Sequence, residues 1–273
     1  MKFKKTFASA LSAVAVLVFA ATVQAASSTI IVTGDTSAGE NQPGWLFNRD
    51  VSTSTPFEFN TDESSIGSGS LYIQPIGTNP ADKFIGENFI NTAVADINSI
   101  SYDFKIGNGG AASDENQFYM SVYANFGESD EFKFYDCRYS VVPTVGSTSD
   151  WTTVTFDPTQ AYPVATRGGA NASPHTCPAV PADMDSLSAG STIRVFALNV
   201  GDTAAGDVGL DGYLDNVVVN TDSDIVTSDF EPALTPSSKD ECKKGGWMSF
   251  NTPSFGNQGQ CVSFVQANAH ANK

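Results

Sequence analysis

Short runs in which apolar and polar residues alternate, separated by turn residues, fill residues 29–229 and constrain the fold more than any other feature. The clearest run is Ile-Ser-Tyr-Asp-Phe-Lys-Ile at 100–106, and Phe-Tyr-Met-Ser-Val-Tyr-Ala at 118–124 repeats the pattern. Side chains along a β-strand point alternately to opposite faces, so each run predicts a strand with one buried face. No stretch of this region keeps the 3.6-residue apolar period of a packed helix. We therefore predict an all-β region.

Further strand candidates are separated by glycine-rich and Asp/Asn-rich turns. They are 29–33, 57–60, 70–76, 151–156, 192–200 and 212–220, and another apolar face begins with Phe132 and Phe134. Roughly ten antiparallel strands in a region of this length predict two packed sheets, an antiparallel β-sandwich of the jelly-roll type. The composition agrees, because 41% of the residues are hydrophobic, which is enough for a large core, and only 16% are charged.

Residues 1–25 have the features of a secretory signal peptide. Three lysines among the first five residues precede an apolar stretch at 7–21, which is shorter than a typical membrane span. Val-Gln-Ala at 23–25 supplies a small-residue cleavage site. We expect a secreted protein, extracellular or on the cell surface, without membrane insertion after cleavage; a retained N-terminal anchor is the alternative.

The chain is strongly acidic, with 30 Asp and Glu against 14 Lys and Arg and a formal charge of −16. Loss of the three leader lysines would leave 11 basic residues and a charge of −19. Binding to nucleic-acid phosphates requires clustered cations, so the sequence predicts no nucleic-acid partner.

Four cysteines in an exported chain predict two disulfide bonds. Of the three possible pairings, Cys137–Cys177 with Cys242–Cys261 is favoured, because the last two cysteines lie in a compositionally distinct tail. Cys177 falls in a proline-rich stretch at 158–190 without a strand pattern, so the first bond would fix this long loop to the sandwich. Zinc is not expected, because the sequence has no Cys-x-x-Cys and no histidine at ligand spacing.

The composition divides the mature chain into a β-sandwich domain at 26–232, a linker at 233–237 and a tail at 238–273. Ser-Lys-Asp-Glu at 238–241 resembles a capping box that opens a short helix, and a second helix is predicted to start near Asn257. A unit this small lacks core area, so we expect the tail to depend on its disulfide.

Several segments of the main domain resemble non-catalytic carbohydrate-binding modules and related galactose-binding-like jelly rolls. The segments 66–71 and 97–104 look like their early strands, and Asp-Trp-Thr-Thr-Val-Thr-Phe at 150–156 is similar to a strand that begins with tryptophan. Gly-Tyr-Leu-Asp-Asn-Val-Val-Val at 212–219 resembles their last strand. The resemblance implies a jelly roll and a polysaccharide or cell-surface glycan as partner.

The tail has a resemblance of its own. Cys-Lys-Lys-Gly-Gly-Trp at 242–247 and Asn-Gln-Gly-Gln-Cys-Val-Ser-Phe-Val at 257–265 are similar to a C-terminal segment of many predicted secreted bacterial proteins. The resemblance implies a bacterial, extracytoplasmic protein and no particular activity.

Tyrosines on two neighbouring predicted strands form the candidate ligand site. If the phenylalanines at 118 and at 132–134 face the core, alternation places four tyrosines and Cys137 on the outer surface. These tyrosines are Tyr119, Tyr123, Tyr135 and Tyr139. Sugar rings stack their apolar faces on aromatic rings, and the tyrosine hydroxyl can bond a sugar hydroxyl. The alternative is that the Cys137 bond ties the long loop across this surface and the tyrosines pack beneath it.

A structural Ca²⁺ site is implied by the same resemblance, since such modules often carry one at the sandwich edge. Ca²⁺ needs six to eight oxygen ligands, which separate segments would have to bring together. The candidates are Asp35, Glu40, Asp62, Asp211 and Asp215. Asp215 is the best of them because it precedes Asn216 in the predicted last strand. The alternative is that each acid lies in an ordinary turn.

No catalytic motif is recognisable. The acidic run at 128–131 lacks the Glu-x-Asp-x-x-Glu spacing of a familiar group of jelly-roll glycosidases, and neither His175 nor His270 lies in a triad setting. We therefore predict a non-catalytic binding protein, with carbohydrate as the leading ligand. The alternatives are a structural or adhesive cell-envelope protein without a small ligand, and a secreted glycoside hydrolase whose acids converge only in three dimensions.

Overall fold

A computed structural model gives the fold of the chain. It describes residues 25–37, 42–48, 53–79, 82–126, 135–168, 177, 190–201 and 207–271. Within these ranges fourteen strands and one α-helix are found. In chain order they are β1 (Ala26–Val32), β2 (Gly44–Phe47), β3 (Thr53–Ser54), β4 (Phe57–Asn60), β5 (Ser70–Ile73), β6 (Asp82–Ala93), β7 (Ile97–Ile106), β8 (Phe118–Asn125), β9 (Cys137–Val141), β10 (Thr152–Phe156), β11 (Val164–Thr166), β12 (Thr192–Val200), β13 (Gly212–Thr221), β14 (Asp224–Phe230) and α1 (Gln258–Ala271).

The strands form two sheets of seven strands each. In sheet A, one edge of β13 pairs with β5 and then with β14, and its other edge pairs with β7, which also pairs with β10. β4 and β1 extend sheet A beyond β5 and β14. Sheet B has the order β11-β9-β8-β12-β6-β2, and β3 also pairs with β6. Only the β1–β14 and β3–β6 pairs of these strands are parallel, so the predicted antiparallel β-sandwich is confirmed.

One apolar core fills the space between the two sheets. Phe104 of sheet A stacks on Phe118 of sheet B, with ring centres 4.9 Å apart. Trp45 of sheet B lies 5.0 Å from Phe230 of sheet A, and its indole Nε1 donates a hydrogen bond of 3.0 Å to Ser228 Oγ. Each fully buried aromatic side chain contributes about 1.5–3 kcal/mol, so these inter-sheet contacts fix how the sheets pack.

The Cys137–Cys177 bond is confirmed, but the predicted orientation of β9 is wrong. Cys137 and Tyr139 are fully buried in the core, and Tyr139 pairs with Val122, a core residue of β8. The prediction used Phe132 and Phe134 to decide which side chains of this strand face the core. Both residues lie outside the described residues and before the strand begins. Tyr139 therefore packs between the sheets and does not belong to the outer surface.

The tail contains turns at 239–245, a 3-10 helix at Gly246–Ser249 and helix α1. The Cys242–Cys261 bond is confirmed and forms a small apolar cluster with Val265. The first predicted helix is replaced by turns, although Ser238 and Glu241 make the expected capping contacts. None of the described helices is long and apolar enough to cross a membrane.

Candidate functional site

Three of the four predicted tyrosines lie on the outer face of sheet B. Tyr119 and Tyr123 alternate along β8 with fully buried core residues, so both point away from the core. The Tyr123 and Tyr135 rings contact each other, with centres 4.9 Å apart and planes at 55°. The Arg167 guanidinium carbon lies 5.3 Å from the centre of the Tyr135 ring, within cation–π range. We call Tyr123 and Tyr135 with Arg167 the tyrosine–arginine cluster.

Further cations lie close to this cluster. Arg138 of β9 is directly opposite Tyr123 in the strand register. Burial raises the pKa of Tyr123 to about 12; Arg138 opposes this rise, and the Glu87 carboxylate adds to it. Burial and the charge of Arg167 lower the pKa of Arg194. Arg167 thus lies over one ring of the cluster, and the charges of Arg138 and Glu87 act on the other.

The centre of the outer face is buried and apolar. Leu46, Phe89 and Val195 form a second apolar cluster, and Tyr123 packs against it. Val195 is fully buried and pairs with Tyr123 across β12 and β8. The tyrosine–arginine cluster thus lies beside a buried apolar patch and does not line an open groove at this point.

The predicted calcium ligands have separate partners. Asp35 Oδ1 accepts a hydrogen bond of 2.9 Å from the Phe47 N–H, and Asp62 Oδ2 accepts one of 3.4 Å from Asn60 Nδ2. Glu40 lies outside the described residues. Asp211 Oδ2 accepts a hydrogen bond of 2.8 Å from the Tyr72 hydroxyl, so these three carboxylates have different partners.

Asp215 is buried at a β-bulge in β13. The register with β7 shifts between Asp215 and Val218, where Asn216 has a φ of 48°. Asp215 Oδ2 accepts hydrogen bonds from the Ser65 and Ile66 N–H groups, at 2.9 and 3.0 Å. Burial raises the pKa of Asp215, and these backbone donors oppose the rise. The segment between β4 and β5 therefore covers this carboxylate on the outer face of sheet A.

Two acids that the sequence reasoning missed lie beside Asp215. Burial, and then the charges of Asp215 and Glu231, raise the pKa of Asp229 to about 6. Asp229 Oδ1 is buried and has no hydrogen-bond partner among the described residues, whereas Glu231 accepts bonds from the Ser68 N–H and hydroxyl. Gly67 has a φ of 64°, and a Cβ there would collide with both Glu231 and Asp229. We call Asp215, Asp229 and Glu231 the acidic cluster.

No group of three or more His, Cys, Asp or Glu side chains in the described ranges has the geometry of a metal site. In the acidic cluster the oxygens of Asp215 and Glu231 accept hydrogen bonds from N–H and O–H donors, so a cation bound there would require some of these donors to turn away.

A groove of about 360 Å³ lies at the sandwich edge, where β1 and β14 meet β2 and β6. Trp45 and Ile90 contribute apolar surface to it, and Asp96 and Asp224 contribute carboxylates. The sequence reasoning did not find this groove, because residues from both sheets form it.

Two face-to-face sheets around one core place the chain among the β-sandwich proteins. No protein-family model matches the sequence, and a comparison with curated proteins gives no match. Among solved structures, the chain is similar to a family 11 carbohydrate-binding module from Clostridium thermocellum in complex with a β-1,3-1,4-mixed-linked tetrasaccharide. The two sequences are 10% identical, the match covers 70% of this chain and 94% of that one, and the TM-score is 0.43.

The chain is also similar, at comparably low identity, to two further solved structures. A xylan-binding domain from Paenibacillus barcinonensis has 8% identity, coverage of 70% and 92%, and a TM-score of 0.34. The enzymatically active domain of tailspike protein 4 of bacteriophage CBA120 has 12% identity, coverage of 65% and 19%, and a TM-score of 0.34. Identities this low do not transfer a ligand or a functional residue to this chain.

Proposed function

We propose that the mature chain is a secreted, non-catalytic carbohydrate-binding protein, and that Tyr119, Tyr123 and Tyr135 contact the sugar. The observation that carries the proposal is the contact between the Tyr123 and Tyr135 rings, 4.9 Å apart, with Arg167 beside them. The apolar faces of a sugar stack on aromatic rings, and guanidinium N–H groups donate to its hydroxyls. The cluster combines both kinds of contact on one surface.

The burial of the acidic cluster argues against catalysis at this cluster. General acid catalysis requires a carboxyl group that touches the scissile bond, and a pKa near the working pH favours it. Asp229 has such a pKa, of about 6, but it is 6% exposed, and Gly67 lies against it. A glycosidic bond cannot reach this carboxyl group while the segment between β4 and β5, which contains Gly67, stays in place.

The two disulfides and the N-terminal strand support secretion. Disulfide bonds persist mainly in oxidising compartments outside the cytosol. Cleavage after Ala25 would leave Ala26 as the new N-terminus, and Ala26 is the first residue of β1. The Ala26 nitrogen donates a hydrogen bond to the Ser223 carbonyl, at 3.1 Å, so the mature chain would begin directly on the sheet.

A glycan array with the purified mature chain tests the function, and the best glycan is then used for affinity measurements. Tyr123→Ala and Tyr135→Ala should each weaken binding at least tenfold, or by about 1.4 kcal/mol. Tyr162→Ala is the matched control, because this half-buried ring contacts Phe156, with ring centres 5.1 Å apart, and lies outside the cluster. An array without any bound glycan would contradict the proposal.

A structural or adhesive role without a small ligand is the second candidate. The buried patch of Leu46, Phe89 and Val195 favours it, since it leaves the centre of the face closed. A negative glycan array combined with concentration-dependent self-association of the mature chain would support this role.

We also propose a structural Ca²⁺ at the acidic cluster. The support is Asp229 Oδ1, a buried oxygen without a partner among the described residues, beside two further carboxylates. Carboxylate oxygens are the ligands that Ca²⁺ prefers. Millimolar Ca²⁺ should raise the melting temperature of the native chain over that in chelator, and Asp229→Asn should remove most of this rise. An unchanged melting temperature in the native chain would contradict the site.

A further inference from the structure

A row of outward-facing side chains crosses sheet A over five neighbouring strands. In the strand register Glu58 pairs with Tyr72, Tyr72 with Tyr213, and Tyr213 with Lys105. Trp151 immediately precedes β10, which pairs with β7, and it extends the row past Lys105. The strand neighbours of Tyr72, Tyr213 and Lys105 are buried, and those of Glu58 pack against the core, so these four side chains face away from the core. Trp151 joins them through the contact of its ring with Tyr213.

The Tyr213 ring contacts the two other aromatic rings of this row. The Tyr72 and Tyr213 ring centres are 4.9 Å apart, with planes at 35°. The Tyr213 and Trp151 centres are 6.4 Å apart, with planes at 61°. All three side chains are half-buried, so each rests on the sheet and keeps part of its surface in solvent. We call Tyr72, Tyr213 and Trp151 the aromatic row.

Carboxylates border the aromatic row. The Tyr72 hydroxyl donates a hydrogen bond of 2.8 Å to Asp211 Oδ2, and the Lys105 ammonium pairs with Glu63 Oε1 at 2.6 Å. The acids whose charges raise the pKa of Tyr213, after burial, are Asp62, Glu63, Asp211 and Glu58. The one cation of the row is thus neutralised, and the border is negatively charged.

We propose that the aromatic row binds a neutral saccharide chain, at a site separate from the tyrosine–arginine cluster. The inference rests on carbohydrate binding as the function but uses the opposite side of the molecule, since the outer faces of two packed sheets point in opposite directions. Contacting rings offer a continuous apolar surface for successive sugar rings, and the carboxylates accept hydrogen bonds from sugar hydroxyls. The negative border repels uronate or sulfate groups, which selects an uncharged chain.

A site on each side would make the protein bivalent. Two saccharide chains could then be held at once, one on sheet A and one on sheet B. Binding through both sites to a dense polysaccharide would raise the apparent affinity above that of either site.

Affinity electrophoresis of the full mature chain tests the row. The gels contain a neutral polysaccharide (mixed-linkage β-glucan, xylan or galactomannan) or polygalacturonate. In the neutral gel that retards the native chain, Trp151→Ala should raise the apparent dissociation constant at least tenfold. Trp151→Phe should restore most of the lost affinity. Tyr162→Ala serves again as the matched control, and melting curves confirm that each variant is folded. Tyr123→Ala should leave the contribution of the row intact, and Trp151→Ala with Tyr123→Ala should abolish retardation.

The outcomes separate the two proposals. If the native chain is retarded and the folded Trp151→Ala variant is retarded equally, the aromatic row is not a binding site, while carbohydrate binding stands. Equal retardation of the Tyr123→Ala variant, in which the row is the remaining site, by polygalacturonate and by neutral polysaccharides would overturn the selection for an uncharged chain. If no polysaccharide retards the native chain and the glycan array is also negative, both the row and carbohydrate binding are refuted.

Discussion

Asp229→Asn should stabilise the protein at neutral pH in the presence of a chelator. The folded environment raises the pKa of Asp229 from 3.8 to about 6, mainly through burial and then through Asp215 and Glu231. A raised carboxyl pKa means that the folded state holds its proton more tightly than the unfolded state, so ionisation lowers the free energy of unfolding as the pH rises through this range. At about 1.4 kcal/mol per pH unit, the full effect above pH 6 is roughly 3 kcal/mol.

The asparagine keeps the size of the side chain and removes the charge. In chelator at about pH 7.5 it should raise the free energy of unfolding by about 2–3 kcal/mol, or the melting temperature by roughly 5–10 °C. Near pH 4 both proteins carry an uncharged group, so the difference should largely disappear. Denaturant titrations at several pH values measure this dependence, and Asp222→Asn, at an exposed position, is the matched control with an expected change below about 0.5 kcal/mol. An Asp229→Asn protein that is no more stable than the native chain at neutral pH in chelator would refute the reasoning.

Three further changes test the core and the tail. Replacing Cys242 and Cys261 by serine should destabilise the tail by about 3 kcal/mol, because the bond closes a loop with a sequence separation of 19. The melting transition of the main domain should not move. A shift of that transition would show that the tail and the main domain are coupled. A chain that ends at Pro232 should keep one cooperative thermal transition, and its loss would show that the tail belongs to the main core. Trp45→Phe should lower the free energy of unfolding, measured by denaturant titration, by about 1–3 kcal/mol, because the buried Ser228 hydroxyl loses its indole donor. An unchanged midpoint would show that this hydrogen bond does not stabilise the fold.

The buried patch on sheet B bears on how the tyrosine–arginine cluster works. Tyr123 packs against the patch through its ring, which fixes the ring that Tyr135 contacts. A rigid aromatic ring loses little conformational entropy on binding, so this packing suits a preorganised sugar contact. Loosening it with Val195→Ala should therefore weaken glycan binding without removing any of the tyrosines proposed to contact the sugar. An unchanged affinity in a folded variant would show that preorganisation is unimportant.

The sequence alone was enough to locate the strands in which apolar and polar residues alternate without interruption. The core-facing positions of β8 are those the pattern predicts, because Phe118, Met120 and Val122 are all fully buried. Both disulfide pairs are also as predicted, since one pair lies within a short, distinct tail. The strand positions depend on residues near one another in the chain, and local periodicity therefore reveals them.

Strands without such a pattern were missed. In β6, Phe84 to Phe89 are all buried, because that strand has core on one side and the second apolar cluster on the other. β14 was missed as well, and with it Asp229 and Glu231 of the acidic cluster. Periodicity identifies a strand with one solvent-exposed face. It fails in β6, where both faces are covered, and in β14, where half-buried and then buried residues follow one another without alternation.

Only the tertiary structure decided which side chains meet. The acidic cluster joins Asp215 to Asp229 because β14 pairs with the part of β13 that follows the bulge. The aromatic row brings Tyr72 and Tyr213 together across β5 and β13, although most of the domain separates them in the sequence. Strand order and register are set by packing of the whole sandwich, and a single residue of slip would turn each of these side chains to the other face. The sequence therefore determines which residues can form a strand, whereas the packing of the sheets determines which of them share a surface.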